Sequence, residues 1–410
     1  MRINRVRRDA MHGGSGGAPV GLVLMGGGAR AAYQVGVLSG ILDIIDPDRS
    51  PKFRNPFPIL SGTSAGAINA AALACRANDC HLAVDRLVLL WESLRTESIY
   101  RSDALSLLST GWRWLSMLAL GWLWPDLRGR RPSSLLDNSP LAELLHETLD
   151  FDRLNDNLDQ GNLLAIAITA AAFVSGEHLT FYNARHVIEP WTRSLRRAVP
   201  GPLGVEHLMA SSAIPFVFPA QAILVNGKTE WCGDGSMRQL APLSPAIHLG
   251  AKRVLVIGTG HRDDTHAEER RVDSQYPPLA QVGGQILSSI FLDGLSMDVE
   301  RLERINDLLA LIPPESGQSL PLRTVSALTI TPSQRLDKIA MEFLHQMPRA
   351  VRTLFRVLGV SSGSGATTGG ALVSYLLFEP GYIRELIRLG RADSMERIEE
   401  VKAFFKESPL

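Results

Sequence analysis

Cysteine is scarce in this 410-residue chain, and Cys75, Cys80 and Cys232 form an odd set without the paired spacing of a zinc site. Three such residues suit a reducing compartment, as small buried hydrophobes. An excess of either charge is also missing: lysine plus arginine and aspartate plus glutamate number 42 each. With no basic surplus to neutralise phosphates and no motif for reading bases, nucleic acid is excluded as a partner. A leader's apolar run is missing too. Arg2, Arg5, Arg7 and Arg8 are followed by a Gly/Ser stretch at 13–17, so residues 1–18 read as a flexible tail and the chain is expected in the cytoplasm, with export lacking a cleavable signal left open. No internal repeat is present, and neither a metal-ligand set nor a cofactor is expected.

What the chain does have is apolar content. Hydrophobic residues make up 45% and charged residues 20%, enough for a sizeable core in one large domain or two to three smaller ones. Residues 20–25 form a short apolar run that ends in Gly26-Gly27-Gly28, after which Val35, Leu38, Leu42 and Ile45 recur at helical spacing. Residues 57–61 lead into Gly62-Thr63-Ser64-Ala65-Gly66 and then an alanine-rich stretch at 67–77. Further strands are predicted at 162–173, 178–182, 221–226 and 252–258, with helical patterns between several of them. Strands alternating with helices argue for a three-layer α/β/α fold around a mostly parallel sheet.

After a polar connection at 261–279 the pattern turns helical, over 284–312 and again through Leu336, Ile339, Phe343, Met347, Val351 and Leu354. Arg349, Arg352 and Arg356 lie opposite that stripe, as a solvated face. A Gly/Ser/Thr loop at 361–370 precedes more helix after 380. The expected organisation is a tail at 1–18, a catalytic domain at 19–260 with a Trp-rich insertion near 100–130, and a mainly helical extension at 280–410.

Three elements carry chemistry. Gly62-x-Ser64-x-Gly66 sets a serine on a strand-to-helix turn, where glycines permit the tight bend and the helix N-terminus favours developing negative charge. A turn of small residues packing a helix on a sheet explains the same pattern. Gly26-Gly27-Gly28-Ala29-Arg30 exposes backbone N–H groups to an anion, as an oxyanion hole does; Arg30 either holds the loop or meets a phosphate group. Gly26-x-Gly28-x-x-Ala31 also fits a dinucleotide fingerprint, but Asp43, Asp46 and Asp48 do not end a second strand as that site requires. Asp234-Gly235 is either an ordinary turn or a partner for the serine.

These features, with Ala210-Ser211-Ser212-Ala213-Ile214-Pro215-Phe216 between the second and third, occur in an order that resembles the patatin-like phospholipase family over about residues 20–260. The resemblance implies a lipid acyl hydrolase of phospholipase A type that acts on glycerophospholipids without calcium. It implies Ser64 as nucleophile, Asp234 as its dyad partner, an oxyanion hole from Gly26, Gly27, Gly28 and Arg30, and a nucleophile turn framed by Gly62 and Gly66. Two positions depart from the family pattern: Ala31 stands where glycine is usual after the arginine, and Ser236 where glycine or alanine follows Asp-Gly. Substrate fit near Ser236 is the property placed in question.

Two alternatives remain at this stage. His248 and His261 follow Asp234, as a Ser-Asp-His esterase triad requires. A catalytically silent lipid-binding protein on the same fold is the other. Residues 104–124 hold Trp112, Trp114, Trp122 and Trp124, four of the chain's seven tryptophans. Arg113 and several hydroxyl residues argue against a spanning helix. A hairpin on the core and a lid or membrane-surface contact both fit. The oligomeric state is not legible.

Overall fold

The apolar runs that end in glycine turns become neighbouring parallel strands. The computed structural model describes residues 18–102, 134–261, 278–313, 322–363 and 366–406. Strands β1 (Val20–Leu24) and β2 (Ile59–Thr63) pair in parallel with Leu24 opposite Gly62, so both glycine-rich turns leave the sheet side by side. Alternate residues enter separate cores: Leu22 and Leu24 face one, Val23 and Met25 the other. That double burial is why these strands read as continuous apolar runs.

The other strands are β3 (Ala165–Ala172), β4 (His178–Ala184), β5 (Thr192–Arg193), β6 (Arg196–Pro200), β7 (Gln221–Val225), β8 (Lys228–Asp234), β9 (Arg253–Ile257) and β10 (Ser326–Ile330). The sheet runs β10-β9-β1-β2-β3-β4-β6-β5, parallel from β10 through β3, with the β7–β8 hairpin joined to β3. Helices α1 (Ala32–Ile45), α2 (Ala65–Ala74) and α3 (Cys80–Ser93) contribute to one core. The short α4 (Thr96–Ile99), α5 (Ser139–Thr148), α6 (Phe151–Gln160) and α7 (Val205–Ser211) extend it. The opposite face is covered by α8 (Ser244–His248) and by Leu295 and Leu302 of α9 (Leu279–Ala310). This is the expected three-layer arrangement.

The region after 278 is mainly helical, yet β10 pairs with β9 and so extends the main sheet. The single helix expected through Leu336 and Leu354 is two: α10 (Leu336–Phe343) and α11 (Arg349–Val357), with a short 3₁₀ turn between. Pro348 sits immediately before α11, where a ring that cannot donate an N–H is tolerated. The loop expected at 361–370 contains a small antiparallel ladder, β11 (Ser361–Gly363) with β12 (Ala366–Thr368). It leads into α12 (Gly370–Leu376), α13 (Pro380–Glu396) and α14 (Ile398–Lys406).

The Trp-rich segment at 104–124 and the tail at 1–17 lie outside the described residues. Among the described residues no helix is long and apolar enough to cross a membrane, and no cluster of metal-binding side chains occurs. All three cysteines are buried and unpaired.

Helix α13 is locked onto α1 at close range. A Cβ on Gly36 would stand 2.0 Å from the Ile387 carbonyl oxygen, and one on Gly390 would stand 2.2 Å from that of Tyr33. The Tyr33 hydroxyl donates to Asp393 at 2.8 Å, and Asp393 also accepts from the Ser333 amide and hydroxyl. Gly36→Ala is therefore expected to cost about 1–3 kcal/mol by forcing the helices apart. Gly283→Ala in α9, whose Cβ meets nothing within 4 Å, is expected to stabilise by about 0.5–1 kcal/mol. Urea unfolding of the two variants checks the opposite signs.

Candidate active site

Ser64 and Asp234 meet because β2 and β8 share one edge of β3. Strand β4 occupies the other edge, pairing residues 165–171. On the shared edge β2 pairs up to Thr63 opposite Thr169, and β8 takes over with Asp234 opposite Ala170. Where β2 stops, the chain turns at Ser64; where β8 stops, it presents Asp234. The junction is clamped by side chains: Gln239 donates to the Thr63 hydroxyl at 2.6 Å, and the Thr63 and Thr169 hydroxyls share a hydrogen bond at 2.7 Å.

Ser64 has φ 55° and ψ −130°, a left-handed conformation that a serine holds only under constraint. The constraint is visible. Its N–H donates to the Ser211 hydroxyl at 2.8 Å, and its carbonyl accepts the Ala67 and Ile68 amides that start α2. Gly62 and Gly66 are required by closeness: a Cβ on the first would lie 2.5 Å from the Gly66 carbonyl oxygen, and one on the second 2.3 Å from that of Leu24. Ser64 is 2% exposed and Asp234 is fully buried.

Burial drives the Asp234 carboxyl up to about 6, against contacts with the Ser64 hydroxyl and with the amide and hydroxyl of Ser236 that favour its charged form. Oδ1 accepts the Ser236 N–H at 2.9 Å. The Ser64 hydroxyl lies against the carboxyl, yet no described group completes a hydrogen bond of good geometry to Oδ2. Such contacts commonly tighten only when substrate is present. Ser236, one of the two departures noted in sequence, thus touches the aspartate directly, and a Cβ on Gly26 would fall 2.4 Å from its hydroxyl oxygen.

The glycine loop stands beside this pair. Gly28, Ser64 and Ala65 line one pocket, and α2 begins at Ala65, so first-turn amides point toward it. The loop is held by a buried chain of amides. Gln34 donates to the Met25 carbonyl at 2.7 Å, Asn69 donates to Gln34 at 2.9 Å, and Trp91 donates to Asn69 at 2.7 Å. Arg30 is directed elsewhere: its amide goes to Gly27 O, its Nε to the Ser374 hydroxyl at 2.8 Å, and its guanidinium lies 4.2 Å from the Tyr375 ring centroid. Of the two roles left open for it, these contacts match holding the loop. Phe291 stacks on Tyr375 behind the loop, and the Tyr375 carbonyl oxygen would be 2.3 Å from a Cβ on Gly28.

The pocket itself is narrow, with a cavity volume of about 50 Å³. Its walls are mainly aliphatic and aromatic, from Ile68, Leu90, Trp91, Leu94 and Leu141 through Ile214, Phe218 and Phe378, with hydroxyl-bearing Ser64, Ser212, Thr148 and Tyr375 among them. Among the described residues no histidine lines it. His248 stacks on Trp191 and bonds to the Ser244 carbonyl, while His261 bonds to that of Pro332. The histidine that does reach the aspartate's turn is His178, whose Nε2 meets the Gly235 carbonyl at 3.1 Å; burial lowers its pKa to about 4, so it is neutral and donates there.

The contributions of Ser211, Ser212, His178, Gln239 and the Gln34–Asn69–Trp91 chain are not apparent in the sequence. Only the two serines carried a signal, by falling within the stretch 210–216.

Fold and site together define an α/β protein whose buried serine and aspartate meet at an apolar pocket. The family model for patatin-like phospholipases matches residues 22–247, over half of the chain, and the chain belongs to that family. At the family level it is a lipid acyl hydrolase, acting on lipid substrates. Among solved structures it is similar to VipD from Legionella pneumophila, at 13% identity and a TM-score of 0.37, over 94% of this chain and 67% of that one. A likeness that distant carries no argument. No curated protein matches.

The raised Asp234 pKa has a consequence for stability. The folded state holds this proton more tightly than the unfolded chain, so the contribution is most favourable below pH 3.8 and is lost as pH rises through about 6. At pH 7 the buried charge therefore costs on the order of 3 kcal/mol. Asp234→Asn is expected to raise the melting temperature at pH 7, with the gain vanishing by about pH 4. Thermal unfolding at the two pH values checks this.

Proposed function

We propose that the chain is a phospholipase A-type hydrolase that cleaves carboxylic esters of glycerophospholipids through a Ser64–Asp234 dyad. The observation that carries the reading is the meeting of a strained serine and a buried carboxyl at the head of an apolar pocket. A serine hydroxyl is a weak nucleophile until a base takes its proton. A base with a pKa near 6 is mostly ionised at neutral pH yet basic enough to accept one.

In the proposed cycle Ser64 attacks the ester carbonyl, and its proton passes to Asp234. The tetrahedral oxyanion is met by backbone amides of Gly27, Gly28 and Ala65, a contribution of the kind worth about 10²–10³ in rate per donor. Collapse expels the lysolipid alcohol, which takes the proton back from Asp234, and leaves an acyl-enzyme. Water then attacks that ester, giving its proton to Asp234; as the tetrahedral intermediate collapses, Ser64 Oγ leaves and takes that proton back, which frees the fatty acid and restores the dyad. Nothing in this cycle needs calcium or a histidine. The acyl chain lies in the pocket beyond Ser64.

Release of fatty acid from mixed phospholipid vesicles in the presence of a calcium chelator tests the proposal. Wild type is expected to release it, with kcat rising as pH increases through about 6 and flat above, because Asp234 must be ionised. Ser64→Ala is expected to lose at least about 10³-fold. Release that persists in Ser64→Ala sinks the mechanism.

A further inference from the structure

Close to Asp234 the chain leaves large apolar side chains uncovered. In the β7–β8 hairpin Ile223, Val225 and Cys232 turn into the core, so Leu224 and Trp231 stand on the opposite, outward face. Leu224 is 72% exposed and Trp231 51%. Phe173 extends that face from the end of β3. Its amide donates to the Trp231 carbonyl at 2.8 Å, and its ring would be 2.5 Å from a Cβ on Gly233. Gly233 lies two residues past Trp231, hence on the same face, and immediately before Asp234. Exposed Val174 follows in the turn to β4.

A second segment joins this face to the Ser64 pocket. The Ala213 carbonyl oxygen would lie 3.2 Å from the same Cβ on Gly233, and it accepts the Asp234 amide at 2.9 Å. Further along, Ile214 and Phe218 line the pocket, but Phe216 between them is 74% exposed at φ 65°. A bulky side chain at positive φ is strained, and the Leu135 amide holds it there by donating to the Phe216 carbonyl at 2.7 Å. The free charges nearby are basic. Among the described residues Lys228 and Arg238 are exposed with no acidic partner, and Arg238 donates to the Gly176 carbonyl in the Val174 turn at 2.9 Å. The neighbouring acids are engaged or buried: Glu177 pairs with Arg197 at 2.7 Å, and Glu230 has a buried carboxylate oxygen.

We propose that Phe173, Val174, Phe216, Leu224 and Trp231 form the face that seats the protein on an anionic lipid surface; this rests on the reading of the chain as a hydrolase of membrane lipids. Single exposed apolar residues are ordinary, whereas a gathered patch marks an interaction surface. Tryptophan suits the boundary between headgroups and acyl chains, and unpaired basic side chains at the margin suit anionic headgroups. The face supplies few of the directional hydrogen bonds that a protein interface uses, which favours lipid over a protein partner.

Binding is read with Ser64→Ala, which removes turnover, on vesicles of phosphatidylcholine with and without phosphatidylglycerol. Val174→Ser, Leu224→Ser and Trp231→Ser together are expected to weaken binding to the anionic vesicles about tenfold or more, through the apolar area withdrawn. Lys228→Gln with Arg238→Gln is expected to weaken it by a similar factor while leaving binding to the neutral vesicles unchanged. Leu308→Ser with Leu311→Ser, exposed apolar residues at the C-terminal end of α9, is expected to change neither. A polarity-sensitive fluorophore on Leu224→Cys reads the face even if the triple variant folds poorly, since the native cysteines are buried. Its emission is expected to shift to the blue on anionic vesicles, and that of the same label on Leu308→Cys to stay. Absence of vesicle binding, binding that survives the triple variant, or an unshifted label at 224 on bound protein overturns the proposal. So does a dimer that the triple variant dissolves while vesicles go unbound. Binding through this face with no fatty acid released by wild type upholds it and overturns the hydrolase reading alone.

Discussion

The edge of β3 is the constraint on which the site depends. A strand has two edges, and here one belongs to β4 for nearly its full length. The other is divided between β2, parallel and ending at Thr63, and β8, antiparallel and ending at Asp234. Because both strands must stop where they meet, the serine turn and the aspartate turn are delivered to one point by register alone. The hydroxyl clamp of Thr63, Thr169 and Gln239 fixes that register at the junction. Such a placement, with catalytic groups on rigid strand ends, is how a sheet holds two side chains in a set relation.

The arrangement is costly for the fold. Asp234 is fully buried and its carboxyl has one well-formed hydrogen bond, from the Ser236 amide, and Ser64 is held at positive φ. Unpartnered oxygens gather around them, on Ser212, Ser236 and Gln239 as well as Asp234. Native proteins seldom tolerate such groups except where function uses them. The offsetting stability comes from packing far along the chain. Helix α13 locks against α1, Phe291 and Tyr375 back the glycine loop, and Ser374 holds Arg30. All of these partners lie beyond residue 247, where the family match ends, so the C-terminal region supports the site that the family segment carries.

Legibility in sequence followed the range of the interaction. The turn at Ser64 and the loop at Gly26–Gly28 were readable because strand, glycine turn and helix lie within a dozen residues of each other. Asp234 was ambiguous locally and became readable only through its order relative to the other elements. The bonds from Ser211 to Ser64 and from Asn69 to Gln34 were not readable, since they join residues 147 and 35 positions apart. Strand β8 was missed because Lys228-Thr229-Glu230 breaks the apolar run. Strand β10 was missed because an edge strand needs few apolar residues. The helix break at Pro348 was hidden because Ile339, Met347 and Val351 all face one core, so the apolar period runs straight across it.

The central claim is that Asp234 activates Ser64 across the junction of β2 and β8. Its most direct test is the rate at which a fluorophosphonate labels Ser64, followed by intact-protein mass spectrometry as a function of pH. Wild type is predicted to label with a rate that rises through about pH 6, and Asp234→Asn to label slowly at every pH with no inflection there. Equal labelling of the two proteins, or a wild-type profile without that inflection, contradicts the account.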